Sequence, residues 1–87
     1  MIMNILYMPQ FLRQYKKLEP DLQEEVKRSI ARFRTDPAEP SLRAHKLKGS
    51  LTGFMSFSVN YQYRIVYQWR NTDTIVLLKV GNHAVYR

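Results

Sequence analysis

Apolar and polar side chains alternate along residues 61–70, which read YQYRIVYQWR. Alternation with a period of two is typical of a β-strand that buries one face and exposes the other. Arg64 lies on the polar side and is predicted to point away from the core. The predicted buried side carries Tyr61, Tyr63, Ile65, Tyr67 and Trp69. After a turn at residues 71–73, the almost wholly apolar residues 74–80 predict a second strand covered on both sides, so we interpret this pair as the centre of the fold.

The N-terminal half predicts one strand and two helices. Residues 2–8 predict a short strand, and Pro9 suits the first turn of a helix that continues over residues 10–18. A second helix begins at Pro20 or Asp21 and is indicated by an apolar stripe at helical spacing. The stripe consists of Leu22, Val26, Ile30 and Phe33. Two prolines within residues 35–40 end this helix and predict a loop that runs to Ser41 or Leu42.

Residues 54–59 predict one more strand, with Ser56 and Ser58 opposite its apolar side. A tight connection, made by Tyr61 and Gln62 or by the preceding Asn60, leads from it into the next strand, so the last three strands are expected to form an antiparallel meander. The element order predicts a single α+β domain over residues 1–87. In it the helices pack on one face of the sheet, and the other face, which carries Arg64, is open.

Composition narrows the choice of partners and location. The chain has 14 Lys and Arg against seven Asp and Glu, and from Lys46 onward only Asp73 is acidic. This excess favours nucleic acid or an acidic protein as partner, with an ordinary solvated surface as the alternative. The apolar runs are far shorter than the roughly 20 residues that cross a bilayer. Residues 1–8 lack a signal-peptide pattern. The expectation is a cytoplasmic protein without a membrane partner.

The titratable residues favour a nuclease that works without a metal or another cofactor. His45 and His83 have few carboxylates near them in sequence, there is no cysteine, and no Gly-rich phosphate loop or Ser-His-Asp order is present. RNA cleavage without metal needs a base for the ribose 2′-hydroxyl, cations for the phosphate and an acid for the leaving oxygen. Histidine, arginine, lysine and tyrosine suit these tasks, and all four occur in the C-terminal half.

Three segments resemble the signatures of the RelE/ParE toxin superfamily of bacterial toxin-antitoxin modules. They are residues 47–53 (LKGSLTG), residues 63–67 (YRIVY) and residues 81–86 (GNHAVY). The resemblance extends through essentially the whole chain. It implies a compact RelE-like fold and an antitoxin that wraps the toxin. For the RelE, YoeB and YafQ branches it also implies a ribonuclease that cuts mRNA in the ribosomal A site.

The resemblance further implies roles for individual residues. His45 would be the general base, Arg64 would stabilise the phosphate, and His83 would be the general acid or a leaving-group contact. Tyr86 would orient the substrate, and Lys48 is a plausible additional cation. Other basic residues are expected to contact nucleic acid: Arg43, Lys46, Arg70, Lys79 and Arg87.

The match is a composite of YoeB-like and YafQ-like sites. The strand lysines of RelE correspond to Met55 and Phe57, and the middle YafQ site residues correspond to Ser58 and Gln62. A ParE-like inhibitor of DNA gyrase is therefore one alternative, although ParE members generally lack the histidine and arginine constellation. A member that only binds its antitoxin is another.

Three of the candidate residues also have a structural alternative. His45 could be a loop histidine bonded to the backbone, Arg64 a partner in an ion pair, and Tyr86 a cover for the core.

Overall fold

The computed structural model describes residues 3–82, which form two α-helices and a five-stranded sheet. The predicted α+β class is confirmed. The elements are β1 (Asn4–Tyr7), α1 (Pro9–Lys16), α2 (Pro20–Thr35), β2 (His45–Lys46), β3 (Met55–Ser58), β4 (Arg64–Trp69) and β5 (Thr74–Gly81). Short 3₁₀ helices occupy Pro40–Leu42 and Gly49–Leu51. None of the described helices is long and apolar enough to cross a bilayer.

The strands lie in the order β1-β5-β4-β3-β2. Strands β3, β4 and β5 pair antiparallel, which confirms the predicted meander. Strand β1 pairs parallel to β5, so the sheet is mixed. Strand β2 was not predicted, because it is only two residues long and exists through its antiparallel pairing with β3.

Both helices pack on one face of the sheet, where an aromatic cluster fixes α2 against the central strands. The Phe33 ring stacks on Phe57 with centroids 4.5 Å apart and meets Tyr67 edge-on at 4.8 Å. All three side chains are almost fully buried. Helix α1 buries Phe11 in the same core. This face of the sheet therefore carries the hydrophobic core.

The predicted aromatic face is only partly correct. Ile65 and Tyr67 are buried, but Trp69 is 39% exposed and Tyr61 is 91% exposed. Strand β4 begins at Arg64, because the chain turns before it. In that turn the Asn60 side chain accepts hydrogen bonds from the backbone N–H groups of residues 62 and 63, both at 2.9 Å. Asparagine favours such a turn over a continuous strand.

The face without helices is less open than predicted. Ser56, Ser58 and Val66 are all buried on it. They are short side chains on β3 and β4, and each of these strands has a neighbouring strand on both sides. A ligand could therefore reach this face mainly through its longer polar side chains.

Replacing Tyr67 with phenylalanine should change how stability depends on alkaline pH. Burial raises the pKa of Tyr67 from 10.0 to about 12, because the phenolate would lose its hydration. The folded state then holds the proton more tightly than the unfolded chain, so stability is complete below pH 10 and is lost as pH rises towards 12. The expected loss is about 2 to 3 kcal/mol.

Urea denaturation followed by circular dichroism at several alkaline pH values would measure this loss. Tyr67→Phe should flatten the decline, whereas Tyr61→Phe, at an exposed position, should retain it. Equal declines in wild type and Tyr67→Phe would contradict the prediction.

Candidate functional site

The strand register gathers polar side chains on the face opposite the helices. His45, Ser56, Val66 and Lys79 form one row across four strands, and Ser58, Arg64 and Gly81 form the next. Directly paired residues point to the same side of a sheet, and residues two apart on a strand do so as well. His45, Arg64 and Lys79 therefore share this face.

A β-bulge brings Lys79 to this face. Val66 pairs with Lys79, whereas the next residue, Tyr67, pairs with Leu77, so Leu78 is an extra residue in β5. Leu77 points into the core, and in a regular strand Lys79 would point the same way. The bulge reverses the alternation, as bulges near functional sites often do.

Arg43 is positioned by the short helix Pro40–Leu42. Leu42 is fully buried and anchors this helix. Arg43 follows in the left-handed conformation, with φ 51° and ψ 41°, which is uncommon for a residue other than glycine. Such backbone strain costs about 1 to 3 kcal/mol and is concentrated at functional sites.

Arg43 and Arg64 line a shared pocket of about 310 Å³. Arg64 Nη1 donates to the backbone carbonyls of Asn60 (2.6 Å), Tyr61 (3.2 Å) and Tyr63 (3.1 Å). Among residues 3–82 no carboxylate pairs with Arg64, so the ion-pair interpretation is not supported. With one guanidinium nitrogen fixed, the planar group is held in place beside a second arginine, and such a pair suits a phosphate.

His45 has a defined ring orientation, because it is hydrogen-bonded to the backbone of Arg43, which lines this pocket. Its Nδ1 is 2.8 Å from the carbonyl oxygen of Arg43. A carbonyl only accepts, so Nδ1 carries the hydrogen and Nε2 is the basic nitrogen of the neutral ring. The side chain is exposed, so Nε2 can meet a substrate. Strand spacing separates the α-carbons of His45 and Arg64 by roughly 12 Å, a gap that the two side chains and a nucleotide can bridge.

Three other candidate residues lie away from the pocket. Lys46 pairs with Met55, which places it on the helix side of the sheet. Lys48 lies beyond the Leu47–Phe54 backbone hydrogen bond at the far end of the β2–β3 hairpin. Arg70 is six residues beyond Arg64, about 20 Å along an extended strand. These positions separate them from Arg43 and Arg64.

The last candidates, His83, Tyr86 and Arg87, lie outside the described residues. Within residues 3–82, no group of three histidine, aspartate or glutamate side chains is arranged to hold a metal ion.

The sequence interpretation assigned Tyr61 to the core in preference to a base-stacking role, and its position in the structure differs. It was placed in the buried face of a strand, but it lines the Arg43 and Arg64 pocket and is almost fully exposed. The sequence did contain an indication of this position. Asparagine favours turns, so Asn60 predicts a turn that places Tyr61 before the strand and not in it.

Comparisons with known proteins agree with this fold. Residues 5–85 match the family model described as the ParE toxin of the type II toxin-antitoxin system parDE. The YoeB/ParE toxin from Agrobacterium tumefaciens superimposes with a TM-score of 0.76 at 16% identity, covering 93% of this chain and 99% of that chain. No match was found among curated protein sequences.

Two further solved structures have similar folds. The YoeB dimer from Staphylococcus aureus gives a TM-score of 0.74 at 24% identity, covering 95% of this chain and 99% of that chain. A chain of the E. coli DinJ-YafQ toxin-antitoxin complex gives a TM-score of 0.77 at 19% identity, covering 98% of this chain and 97% of that chain. These likenesses show the fold, and the family match spans nearly the whole sequence. The chain therefore belongs to the ParE toxin family, within the RelE/ParE superfamily of type II toxin-antitoxin systems.

Proposed function

We propose that this toxin is a metal-independent endoribonuclease that cleaves mRNA on the ribosome. The observation that supports this most strongly is that the His45 ring is hydrogen-bonded to the backbone of Arg43, which lines a pocket together with Arg64. It supplies a nitrogen base and two permanent cations, which are two of the three components that RNA cleavage needs.

In the proposed reaction a phosphate of the message binds between Arg43 and Arg64. His45 Nε2 removes the proton of the adjacent ribose 2′-hydroxyl, and the 2′-oxygen attacks phosphorus. The bond from phosphorus to the 5′-oxygen breaks, and that oxygen takes up a proton. The products are a 2′,3′-cyclic phosphate and a 5′-hydroxyl end. For proton donation we retain His83 and Tyr86 from the resemblance.

The shape of the site favours a substrate that is presented by a larger assembly. The pocket of about 310 Å³ accommodates little more than one nucleotide. Cleavage requires the 2′-oxygen, the phosphorus and the leaving oxygen to be aligned. A ribosome that holds the message would supply this alignment, and the toxin would supply the base and the cations.

Primer extension on a reporter mRNA in a cell-free translation reaction tests this function. We expect new 5′ ends at codon-phased positions when the protein is present, and none when ribosomes are omitted. Intact message in every reaction would overturn the proposal.

Inhibition of DNA gyrase is the second candidate, favoured by the match to the ParE toxin family. A DNA supercoiling assay with purified gyrase separates the two functions. Loss of supercoiling with intact message would establish the second function in place of the first.

We also propose that an antitoxin binds the groove between β1 and α2, because the likeness to the DinJ-YafQ complex points to such a partner. The groove, about 500 Å³, is lined by the apolar side chains of Tyr7, Ile30 and Ala31 and by basic Lys27 and Arg34. Leu6 on the edge strand β1, Met8 directly after it and Leu12 on α1 are also exposed. Apolar walls with basic groups fit an amphipathic acidic segment.

Ala31→Glu should weaken binding of the antitoxin from the same module by about tenfold or more, because a bulky anion would enter the groove. Ala31 is exposed on α2 and glutamate is a good helix former, so folding should be unaffected. Isothermal titration calorimetry of the purified pair measures the change. Ala38→Glu adds the same charge at an exposed loop position and serves as control. Equal affinities of the two variants would refute this binding site.

A further inference from the structure

Tyr61 is the most exposed of the large apolar side chains in residues 3–82, at 91%. Single exposed aromatic rings are common on protein surfaces, so exposure alone indicates nothing. Two further observations set this ring apart. It belongs to the lining of the pocket of Arg43 and Arg64, and the turn that carries it is held by a dense set of hydrogen bonds.

The turn is tied to the sheet and to α2. The Asn60 side chain accepts from the N–H groups of residues 62 and 63, and its Nδ2 donates to the Glu25 carboxylate at 2.7 Å. Val59 N–H donates to the Tyr63 carbonyl at 2.9 Å. Arg64 Nη1 donates to the carbonyl of Tyr61 itself at 3.2 Å. The backbone of Tyr61 is therefore fixed while its ring is left in solvent, an arrangement that suits binding better than packing.

We propose that Tyr61 is a stacking platform for an unpaired nucleobase of the nucleotide whose phosphate lies between Arg43 and Arg64. This inference rests on the proposed function. The Tyr61 carbonyl accepts a hydrogen bond from the guanidinium that would hold the phosphate, and Tyr61 lines the same pocket, so one nucleotide could contact both residues. Stacking on an aromatic ring tolerates any base but requires the base to be splayed out of a helix. The site would thus select single-stranded RNA, and Tyr61 would bind substrate without moving a proton.

The test is fluorescence anisotropy with a labelled short RNA that carries 2′-O-methyl groups throughout, so that it binds without being cleaved. Tyr61→Ala should weaken binding by about tenfold or more, because one stacked base is lost. Tyr61→Phe keeps the ring and should bind within about twofold of wild type. Gln62→Ala, an exposed position in the same turn, is the matched control and should also stay close to wild type.

Salt dependence distinguishes stacking from phosphate contact. Arg64→Ala should reduce the slope of log affinity against log salt by about one, whereas Tyr61→Ala should leave the slope unchanged. The proposal is overturned if wild type shows no saturable binding, if Tyr61→Ala binds like wild type, or if Tyr61→Phe binds as weakly as Tyr61→Ala. Cleavage is measured separately by end mapping. A protein that binds RNA through Tyr61 yet leaves message intact would refute the nuclease and not the stacking platform.

Discussion

Arg64→Ala is expected to lower the rate of mRNA cleavage by about a hundredfold to a thousandfold. The guanidinium is held by three backbone carbonyls through Nη1 and belongs to a residue that lines the pocket, so it need not reorganise during the reaction. Preorganised charge of this kind stabilises the pentavalent phosphate more than the ground state. The measurement is end mapping on the reporter mRNA, with initial rates taken at equal protein concentration.

Two other variants show whether that loss comes from a specific phosphate contact or from overall positive charge. Arg64→Lys keeps the charge but cannot both bridge the turn carbonyls and reach the phosphate, so an intermediate rate is expected. Arg70→Ala removes an exposed arginine just beyond the far end of β4 and should retain most of the activity. If Arg70→Ala lost as much activity as Arg64→Ala, the effect would be one of overall positive charge and the phosphate-binding role of Arg64 would be wrong.

Loss of folding must be separated from loss of chemistry in Arg64→Ala. The substitution removes three donated hydrogen bonds, but they lie in a surface turn where water can replace the donor. We therefore expect a stability change of only about 1 kcal/mol. Thermal unfolding by circular dichroism measures it. A folded variant that cleaves like wild type would remove Arg64 from the mechanism.

The larger elements of this fold could be predicted because each carries a strong local pattern. Helix α2 follows from its apolar stripe and β4 from its alternation. The bulge at Leu78 could not be predicted, because residues 75–78 are all apolar and give no periodicity that tells one face from the other. The position of Lys79 in the candidate site was therefore not predictable either, because only the register shows that Lys79 shares a face with His45 and Arg64.

The site was predicted less completely than the fold. His45 and Arg64 were named from the resemblance, but their neighbours depend on long-range geometry. Arg43 reaches the pocket because Leu42 is buried and the next residue turns through a left-handed conformation. No local preference of arginine favours that conformation, so packing imposes it. Tyr61 was misplaced because the alternation of residues 61–70 extends across a turn that Asn60 closes.

His45→Ala is expected to lower cleavage by about a hundredfold to ten-thousandfold, the range for loss of a general base. The hydrogen bond from Nδ1 to the Arg43 carbonyl would equally suit a histidine with a purely structural role, so a lower rate alone does not identify a base. Added imidazole separates the two roles. His45 is exposed at the edge of the sheet, so imidazole can enter the vacated space and accept the 2′-hydroxyl proton.

Imidazole should therefore restore part of the activity of His45→Ala and none of that of Arg64→Ala, measured with purified ribosomes and a reporter mRNA. His45→Asn is the matched variant, because its side-chain amide can still donate to the Arg43 carbonyl but cannot take up a proton. If His45→Asn were as active as wild type, the tether would be the only contribution of His45, and the base would have to be sought elsewhere. Rescue of His45→Ala by imidazole, together with an inactive His45→Asn, would assign the proton transfer to the Nε2 atom that the tether leaves free.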